Sequence, residues 1–507
     1  MPYASNDALH AALDALARGA CAGVSRVVSV GASVDGVDVR ALEVGATSSG
    51  GGGGGGGGAR DRGGVDDDAS TSSSTSFTGA GRVRFGFVGN MHGDEPSGRV
   101  ITMEVARRVC EGAKQGGDAL ATRLIDEATL YVIPTMNPDG FAKHTRGNSH
   151  GVDLNRNFPY TQFTPPRGAR GEATALGGKV GENAVTEPET AMMMKFSERV
   201  RMTAVLNYHE GALVANYPWD GNELGGNTYS SAPDDETFKY LASTYATTHP
   251  RMSKSQEFEG GITNGAAWYP LWGGMQDWHY VHTGTMDLTI EVDDDKWPKD
   301  DKIDKIVDEH VVASLEMVSK ALFGSVRGFV RDKNGVGVAG ASVNVGDRGL
   351  PVLTDSAGFF AKPTTPTSRQ VTIHITPPRD VDLYPTTHVI DAIDESNGAT
   401  IDVSLEPRRR SVRAEDVTPA RVAIFLVILV AILAIRRSHK RRRRVATIME
   451  SMQNNPDIEK AVANRRGSSS PRVLIRASSV ERFPSTTSTT TTTTTTAAAT
   501  ATATALG

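Results

Sequence analysis

Cysteine is nearly absent from this sequence, which has only Cys21 and Cys110 among its 507 residues. Two cysteines can form neither a disulfide framework nor a cysteine-based zinc site. We expect two buried free thiols, with a single disulfide as the alternative, so cysteine usage leaves the cellular compartment open. The sequence also has no Asn-x-Ser/Thr acceptor for N-glycosylation.

A strong net charge is missing as well, because 54 basic residues face 59 acidic ones and the formal charge is −5. Bulk charge therefore gives no reason to expect a nucleic acid partner, and we predict none.

The N-terminus has no apolar signal-peptide core, since Asp7 and Asp14 interrupt the leucines there. Leu9, Leu13 and Leu16 instead have helical spacing, which predicts a surface helix over residues 7–17.

The first 323 residues show the alternation of an α/β domain. Strands are predicted over residues 129–134 and 203–208, and helices over 187–201 and 301–322. Residues 46–80 contain a run of nine glycines, Gly50 to Gly58, followed by Asp and Ser/Thr clusters. Such a composition cannot bury a core, so we expect a flexible surface insertion.

The character of the sequence changes twice after this domain. Residues 324–407 combine short β-type runs with turn signals such as Asn334-Gly335, which predicts a small all-β domain.

A linker over 408–419 precedes a wholly apolar run within 420–437, and a basic cluster follows at 436–444. A basic flank is typical of the cytoplasmic end of a membrane span, so we predict a single transmembrane helix over 420–437. The run is short for a span, and a buried helix is the alternative. Residues 438–507, basic and then Ser/Thr-rich, are predicted to be disordered.

His92 and Glu95 carry the first chemical signal, because they follow the predicted strand over residues 83–88 in a tight turn. An imidazole and a carboxylate suit zinc, and a catalytic zinc needs one more protein ligand and an open position. On its own a His-x-x-Glu pair is weak evidence. His209 ends another apolar strand, where α/β folds place ligand groups.

These residues lie within a series of motifs that resembles the metallocarboxypeptidases, in particular the regulatory branch with carboxypeptidases D, E, M and N. The resemblance extends over roughly residues 1–407 and includes the segments 89–95, 136–140, 151–159, 213–218, 261–266, 273–278 and 289–291. It implies a mixed-sheet α/β/α carboxypeptidase domain, residues 1–323, and a transthyretin-like β-sandwich, residues 324–407.

The resemblance also implies the chemistry of the catalytic domain. His92, Glu95 and His209 would hold one catalytic Zn²⁺. Glu291 would be the general base that takes a proton from the attacking water and returns it to the leaving amine. Arg146 would stabilise the oxyanion.

The resemblance implies that four further residues bind the substrate and that a fifth closes over it. Asn155 and Arg156 would bind the terminal carboxylate of a peptide, for which a guanidinium has the right fork geometry. Asp220 and Gln276 would line the pocket for the released side chain. Tyr269 would close over the bound substrate and hydrogen-bond it.

An acid at position 220 predicts release of C-terminal Arg or Lys, because a cation entering a partly desolvated pocket needs an anionic partner. With the basic flank on the cytoplasmic side, we expect a type I protein of the secretory pathway or cell surface. The alternative function is a catalytically inactive carboxypeptidase-like binding protein. That alternative predicts a missing ligand, base or clamp, and none is missing.

The sequence departs from the resembled family at several points. Glu210 replaces the usual glycine after the third ligand, where a carboxylate could perturb the basicity of the zinc ligands or product release. Asp293 and Asp294 stand where cysteines are often found. The glycine-rich insertion is unusual. Because Met1 lies almost at the start of the catalytic resemblance, a truncated gene model is our preferred explanation for the missing signal peptide.

Overall fold

A computed structural model describes residues 3–45, 81–159, 162–163, 186–408 and 419–453. Its compact units are Met1–Arg410 and Ser411–Gly507. The predicted insertion at 46–80, most of the predicted linker and the end of the predicted tail lie outside the described residues. The boundary between a catalytic and a β domain at residue 323 stays a prediction from the sequence.

An eight-stranded mixed sheet forms the centre of the first unit, in the order β1-β2-β4-β3-β5-β8-β6-β7. Its four middle strands, β4, β3, β5 and β8, run parallel to one another, so their carboxyl ends meet at one edge. The strands are β1 Ser25–Ala32, β2 Asp38–Val44, β3 Val83–Gly89, β4 Ala128–Ile133, β5 Ala204–His209, β6 Ala212–Tyr217, β7 Ile262–Asn264 and β8 Met286–Asp293.

Helices cover both faces of this sheet, because its central strands are apolar on both sides. Phe85 and Phe87 of β3 pack into one core cluster, while Val88 packs into a second. The helices are α1 Asn6–Arg18, α2 Ser97–Gln115, α3 Ala119–Glu127, α4 Pro138–Lys143, α5 Pro188–Val200, α6 Asp235–Thr248, α7 Gly265–Trp268, α8 Met275–Thr283 and α9 Asp300–Phe323. The predicted α/β fold and its helices over 7–17, 187–201 and 301–322 are confirmed within one or two residues.

A buried polar chain ties α8 to the sheet. Ser197 Oγ of α5 lies 2.8 Å from His279 Nε2, and His279 Nδ1 lies 2.6 Å from Asp287 Oδ2 of β8. All three residues have no exposed surface. The hydrogen bonds satisfy side chains that would otherwise be costly to bury, and they fix the helix that carries Gln276.

Residues 326–405 form an all-β part, as predicted. Its strands form two sheets, ordered β11-β10-β13-β14 and β12-β9-β15, and β16 pairs with β9. Its likeness to transthyretin stays a prediction. The strands are β9 Val326–Asp332, β10 Ser342–Val345, β11 Val352–Leu353, β12 Phe359–Lys362, β13 Val371–Thr376, β14 Thr386–Ile390, β15 Ala399–Thr400 and β16 Val403–Leu405.

Two ion pairs fasten this β part to the α/β part. Lys362 Nζ lies 3.0 Å from Asp234 Oδ2, and the lysine side chain is only 1% exposed. Tyr280 donates a hydrogen bond of 2.7 Å to the same carboxylate oxygen. Arg84 of β3 lies 2.7 Å from Asp355. The two parts are therefore joined by buried polar contacts as well as by apolar packing.

The preferred expectation for the cysteines, two buried free thiols, was wrong. Cys21 and Cys110 are joined by a disulfide, and within the described residues no cysteine is free. Burial alone is equally compatible with free thiols and with a bridge, and the pairing depends on α2 packing beside the turn that carries Cys21. The alternative of a single disulfide is the one that the structure has.

Residues near the C-terminus form helix α10, Pro419–Gln453, so the predicted disordered tail is helical from 438 to 453. The predicted span over 420–437 lies within this helix, and the side chains of residues 420–425 are outside the described part. Among the described residues, no helix has both the length and the apolar character needed to cross a membrane. The structure thus gives no support to the predicted span, whose apolar run is followed at once by Arg436 and Arg437.

Candidate active site

Three parallel strands deliver the predicted metal ligands and the predicted base to one edge of the sheet. The turn after β3 carries His92 and Glu95, β5 ends at His209, and Glu291 lies near the end of β8. In the sheet register, His209 is the direct partner of Glu291. The topology therefore brings together residues that lie far apart in the sequence.

Asn90 shapes the turn that leaves β3. Its φ of 55° lies in the left-handed region, which asparagine tolerates better than most residues. Its side-chain amide donates to the carbonyls of His92 at 2.8 Å and of Glu95 at 3.2 Å. Local hydrogen bonding thus holds both ligand-bearing residues on the same side of the turn.

The three predicted ligands present their donor atoms to one point. His92 Nδ1 lies 2.8 Å from Glu95 Oε2, and His209 Nδ1 lies 3.0 Å from both of these atoms. All three side chains are buried. Two imidazole nitrogens and a carboxylate oxygen that face one another in this way fit a divalent cation, and the donor set is one that zinc prefers.

Asp153 supports the first ligand and was not predicted. Its Oδ1 lies 3.0 Å from His92 Nε2 and its Oδ2 accepts a hydrogen bond of 3.0 Å from Arg146 Nε. Burial opposes ionisation, but His92 and Arg146 hold the pKa of Asp153 well below its usual range. A carboxylate on the second ring nitrogen leaves Nδ1 free for metal and fixes the ring.

Arg146, for which an oxyanion-stabilising role is predicted, lies beside the ligands. Its Nη1 donates to Glu95 Oε1 at 3.0 Å, and Lys296 Nζ reaches the same oxygen at 2.7 Å. No role was predicted for Lys296. Two cations next to the ligand carboxylate make this side of the pocket positive, which suits a negative charge that develops during reaction.

Glu291 is buried, and its Oε2 has no hydrogen-bond partner among the described residues. Burial, together with the nearby carboxylate of Glu95, raises the pKa of Glu291 to about 8. A carboxylate with a raised pKa and an unpartnered oxygen, in a pocket that the ligands also line, has the properties of a general base. The pocket that it lines also includes His92, Arg146 and Tyr269.

The predicted carboxylate-binding residues flank the same pocket. Asn155 lines it, and the backbone N–H of Met275 fixes the Asn155 amide through a hydrogen bond of 3.0 Å to Oδ1. Arg156 is not among the lining residues, but it is near enough to act on them: burial raises the pKa values of Asp220 and Tyr269, and the charge of Arg156 opposes this rise. Tyr269 also lines the pocket, and it is 37% exposed.

Asp220 lies buried within the pocket wall, with 1% of its surface exposed. Its Oδ1 accepts hydrogen bonds from Gln276 Nε2 at 2.7 Å and Asn216 Nδ2 at 3.2 Å. The backbone N–H of Thr289 donates to Gln276 Oε1 at 3.2 Å, so the amide group of Gln276 can only be a donor toward Asp220. Burial raises the pKa of Asp220 to about 7, although these hydrogen bonds oppose the shift.

Asp277 fixes the backbone of this turn and was also not predicted. Its carboxylate accepts hydrogen bonds from the N–H groups of Asp220 at 3.0 Å and Gly221 at 3.4 Å. Burial and the neighbouring Asp220 raise the pKa of Asp277 well above its usual range. Asp277 directly follows Gln276 and lies in segment 273–278 of the family resemblance, and these were the available signals.

Glu210 lines the pocket next to His209 and is only 3% exposed. It accepts hydrogen bonds of 3.3 and 3.2 Å from the backbone N–H of Ser97 and contacts the Ser97 hydroxyl. Burial, and to a smaller degree the charges of Glu95 and Glu291, raise the pKa of Glu210 well above its usual range. Glu210, which replaces the usual glycine, therefore has Ser97 as a defined hydrogen-bond partner.

Comparisons with known proteins show which family the sequence matches. A family model described as zinc carboxypeptidase, Peptidase M14, matches residues 9–313. Carboxypeptidase SOL1 of Arabidopsis thaliana is 37% identical over 326 residues, which are 64% of this chain and 57% of that protein. Carboxypeptidase D of Mus musculus is 33% identical over 311 residues, which are 58% of this chain and 21% of that protein.

Among solved structures, thrombin activatable fibrinolysis inhibitor aligns with a TM-score of 0.47 and 17% identity, over 63% of this chain and 74% of that one. The present chain spans less than two thirds of the plant and mouse relatives. The family match is long, however, since residues 9–313 are more than half of the 507 residues and include all predicted ligands and catalytic groups. The protein therefore belongs to the zinc carboxypeptidase family.

Proposed function

We propose that the protein is an active zinc-dependent carboxypeptidase that hydrolyses the last peptide bond of peptides and proteins and preferentially releases Arg or Lys. The observation that carries this proposal is that one pocket is lined by the three ligands His92, Glu95 and His209 together with Glu291 and Asp220. Ligands, base and a buried acid thus line one cavity, which is what an exopeptidase needs.

Each side chain has a role that its contacts support. When bound, zinc would polarise the scissile carbonyl and lower the pKa of the attacking water. Glu291 would accept the proton of that water on its unpartnered oxygen and pass it to the leaving amine. Arg146, anchored by Asp153, would stabilise the oxyanion, while Asn155 and Arg156 would hold the terminal carboxylate.

The preference for a basic residue rests on the environment of Asp220. Two amide donors hold Oδ1, and burial leaves the carboxyl group poorly solvated. A guanidinium or ammonium group that enters the pocket would place a countercharge next to Asp220 and shift it to its ionised form. An apolar side chain would leave the acid without that partner, so it would bind less well.

The test is hydrolysis of short peptides that differ only in their C-terminal residue, with and without a chelator. We expect cleavage of Arg- and Lys-ended peptides to exceed that of Leu- and Phe-ended peptides, and the chelator to stop all of them. A protein that binds such peptides but hydrolyses none would be an inactive carboxypeptidase-like binding protein.

We also propose that the protein acts in the secretory pathway or at the cell surface. The Cys21–Cys110 disulfide supports an oxidising compartment, where such bonds persist. The type I topology stays a prediction from the basic cluster at 436–444. Protease treatment of intact vesicles from cells that express the full chain tests both points, because a lumenal catalytic domain would be protected.

A further inference from the structure

Glu210 links the two chain segments that carry the metal ligands. It follows His209 at the end of β5, and its side chain reaches Ser97, which lies 113 residues earlier in the sequence. Ser97 begins α2, two residues after Glu95. The contact therefore runs from one ligand-bearing segment directly to the other.

The backbone of the same residue makes a second link. The N–H of Glu210 donates a hydrogen bond of 3.3 Å to Glu95 Oε2, the oxygen that faces both histidines. Residue 210 thus contacts the ligand itself through its backbone and the helix behind that ligand through its side chain. Because both contacts are buried, water cannot replace them without the segments moving apart.

A metal site keeps its affinity only if its donors stay in place, and partners one step behind the ligands commonly provide this. We propose that Glu210 is a positioning residue which clamps the end of β5 against the start of α2 and thereby slows the release of zinc. The clamp goes beyond the hydrolytic function proposed above, because it concerns metal retention and holds whether or not a peptide is cleaved.

The experiment measures zinc release from the purified, zinc-loaded full chain into excess chelator, by metal analysis or a chromogenic chelator. In Glu210→Ala both the carboxyl group and its hydrogen bonds with Ser97 are lost, and we expect release about 10-fold faster or more. In Glu210→Gln the amide oxygen can still accept from the Ser97 N–H, so release should stay within about 2-fold of the original rate. Ser97→Ala should fall between the two, because the backbone donor remains.

Glu43→Gln is the matched control. Glu43 is a buried carboxylate that pairs with Arg26 at 2.8 Å in the sheet, outside the pocket. This variant should lose stability without faster zinc release, and the melting temperatures of the metal-free proteins identify any variant that is merely unfolded.

Zinc release from Glu210→Ala at the original rate would overturn the proposal. Equal acceleration in Glu210→Gln and Glu210→Ala would also overturn it, since the charge and not the link would then matter. An absence of peptidase activity would leave this measurement unaffected, so failure of the two proposals can be distinguished.

Discussion

Gln276 and Asp220 are joined by a hydrogen bond of 2.7 Å in which the amide nitrogen donates to the carboxylate oxygen Oδ1. The opposite end of the amide accepts from the backbone of Thr289, which fixes its orientation. Asp220 is therefore held as an acceptor before any substrate arrives. Prearranged charge of this kind affects discrimination between substrates more than it affects the chemical step.

Asp220→Asn should remove the preference for basic residues. The substitution keeps the size of the side chain but leaves an incoming cation without an anion, at an expected cost of about 2–5 kcal/mol for the buried pair. We expect kcat/KM for an Arg-ended peptide to fall by that amount, while kcat/KM for a Leu-ended peptide changes little. Faster hydrolysis of Leu- or Phe-ended than of Arg-ended peptides by the unmodified enzyme would refute the assignment of Asp220 and leave the metal site untouched.

Gly265→Ala should disturb the same pocket by steric overlap. A Cβ atom at residue 265 would overlap Oδ1 of Asp220 and lie 2.9 Å from its Cα. We expect a higher KM for Arg-ended peptides with unchanged zinc content. Gly226→Ala is the control, since its Cβ would meet only Thr228 Oγ1, at 4.0 Å. Equal kinetics of the two variants would contradict this explanation.

Acid should weaken the basic preference. The pKa of Asp220 is raised to about 7 by burial, so its proton is bound below that pH and the anion that pairs with a cation is present above it. The ratio of kcat/KM for Arg-ended over Leu-ended peptides should therefore fall by up to about tenfold per unit below pH 7. The ratio cancels effects common to both substrates, such as titration of Glu291. A ratio that stays constant between pH 5 and 8, or one that also falls in Asp220→Asn, would show that another group is responsible.

Removal of zinc should abolish hydrolysis, and re-addition should restore it. His92→Ala should lower both the zinc content and the activity, because it removes one of three donors. Glu291→Gln should instead keep its zinc and lose about 10²–10⁴-fold in kcat, the usual contribution of a general base. Full activity in a preparation shown to be metal-free would exclude the proposed chemistry.

Lys362→Met should destabilise the attachment of the β part. It leaves the buried carboxylate of Asp234 without its cation, for which we expect a loss of about 3 kcal/mol in the free energy of unfolding. Urea unfolding followed by tryptophan fluorescence measures this loss. The control is Lys302→Met, because the Lys302–Asp295 pair is at least half exposed and should contribute little. Equal stability of the two variants would mean that the buried pair has no such role.

The sequence was sufficient where function depends on short motifs at strand ends. His92, Glu95 and His209 could be predicted because their motifs resemble those of the metallocarboxypeptidases, and their positions after or at the ends of apolar strands agree with that assignment. The partners of these groups could not be predicted. Lys296 is 201 residues from Glu95 and Glu210 is 113 residues from Ser97, so their contacts arise only from tertiary packing.

Similar limits explain the expectations that were wrong. The pairing of Cys21 with Cys110 requires α2 to pack beside the turn that carries Cys21, which neither cysteine indicates locally. The helix over 438–453 is rich in arginine and lysine, a composition that is compatible with both helix and disorder. In both cases the local sequence permits two states, and the rest of the chain decides between them.

The chain of Ser197, His279 and Asp287 has the order of nucleophile, base and orienting acid that serine hydrolases use. A search with a three-residue template would therefore assign this protein a second catalytic centre. None of the three residues has exposed surface, so no acyl group can approach the serine hydroxyl. When enzymes are sought in structures by geometry, a test for solvent access must come before the match of a template, or buried hydrogen-bond chains such as this one will be counted as active sites.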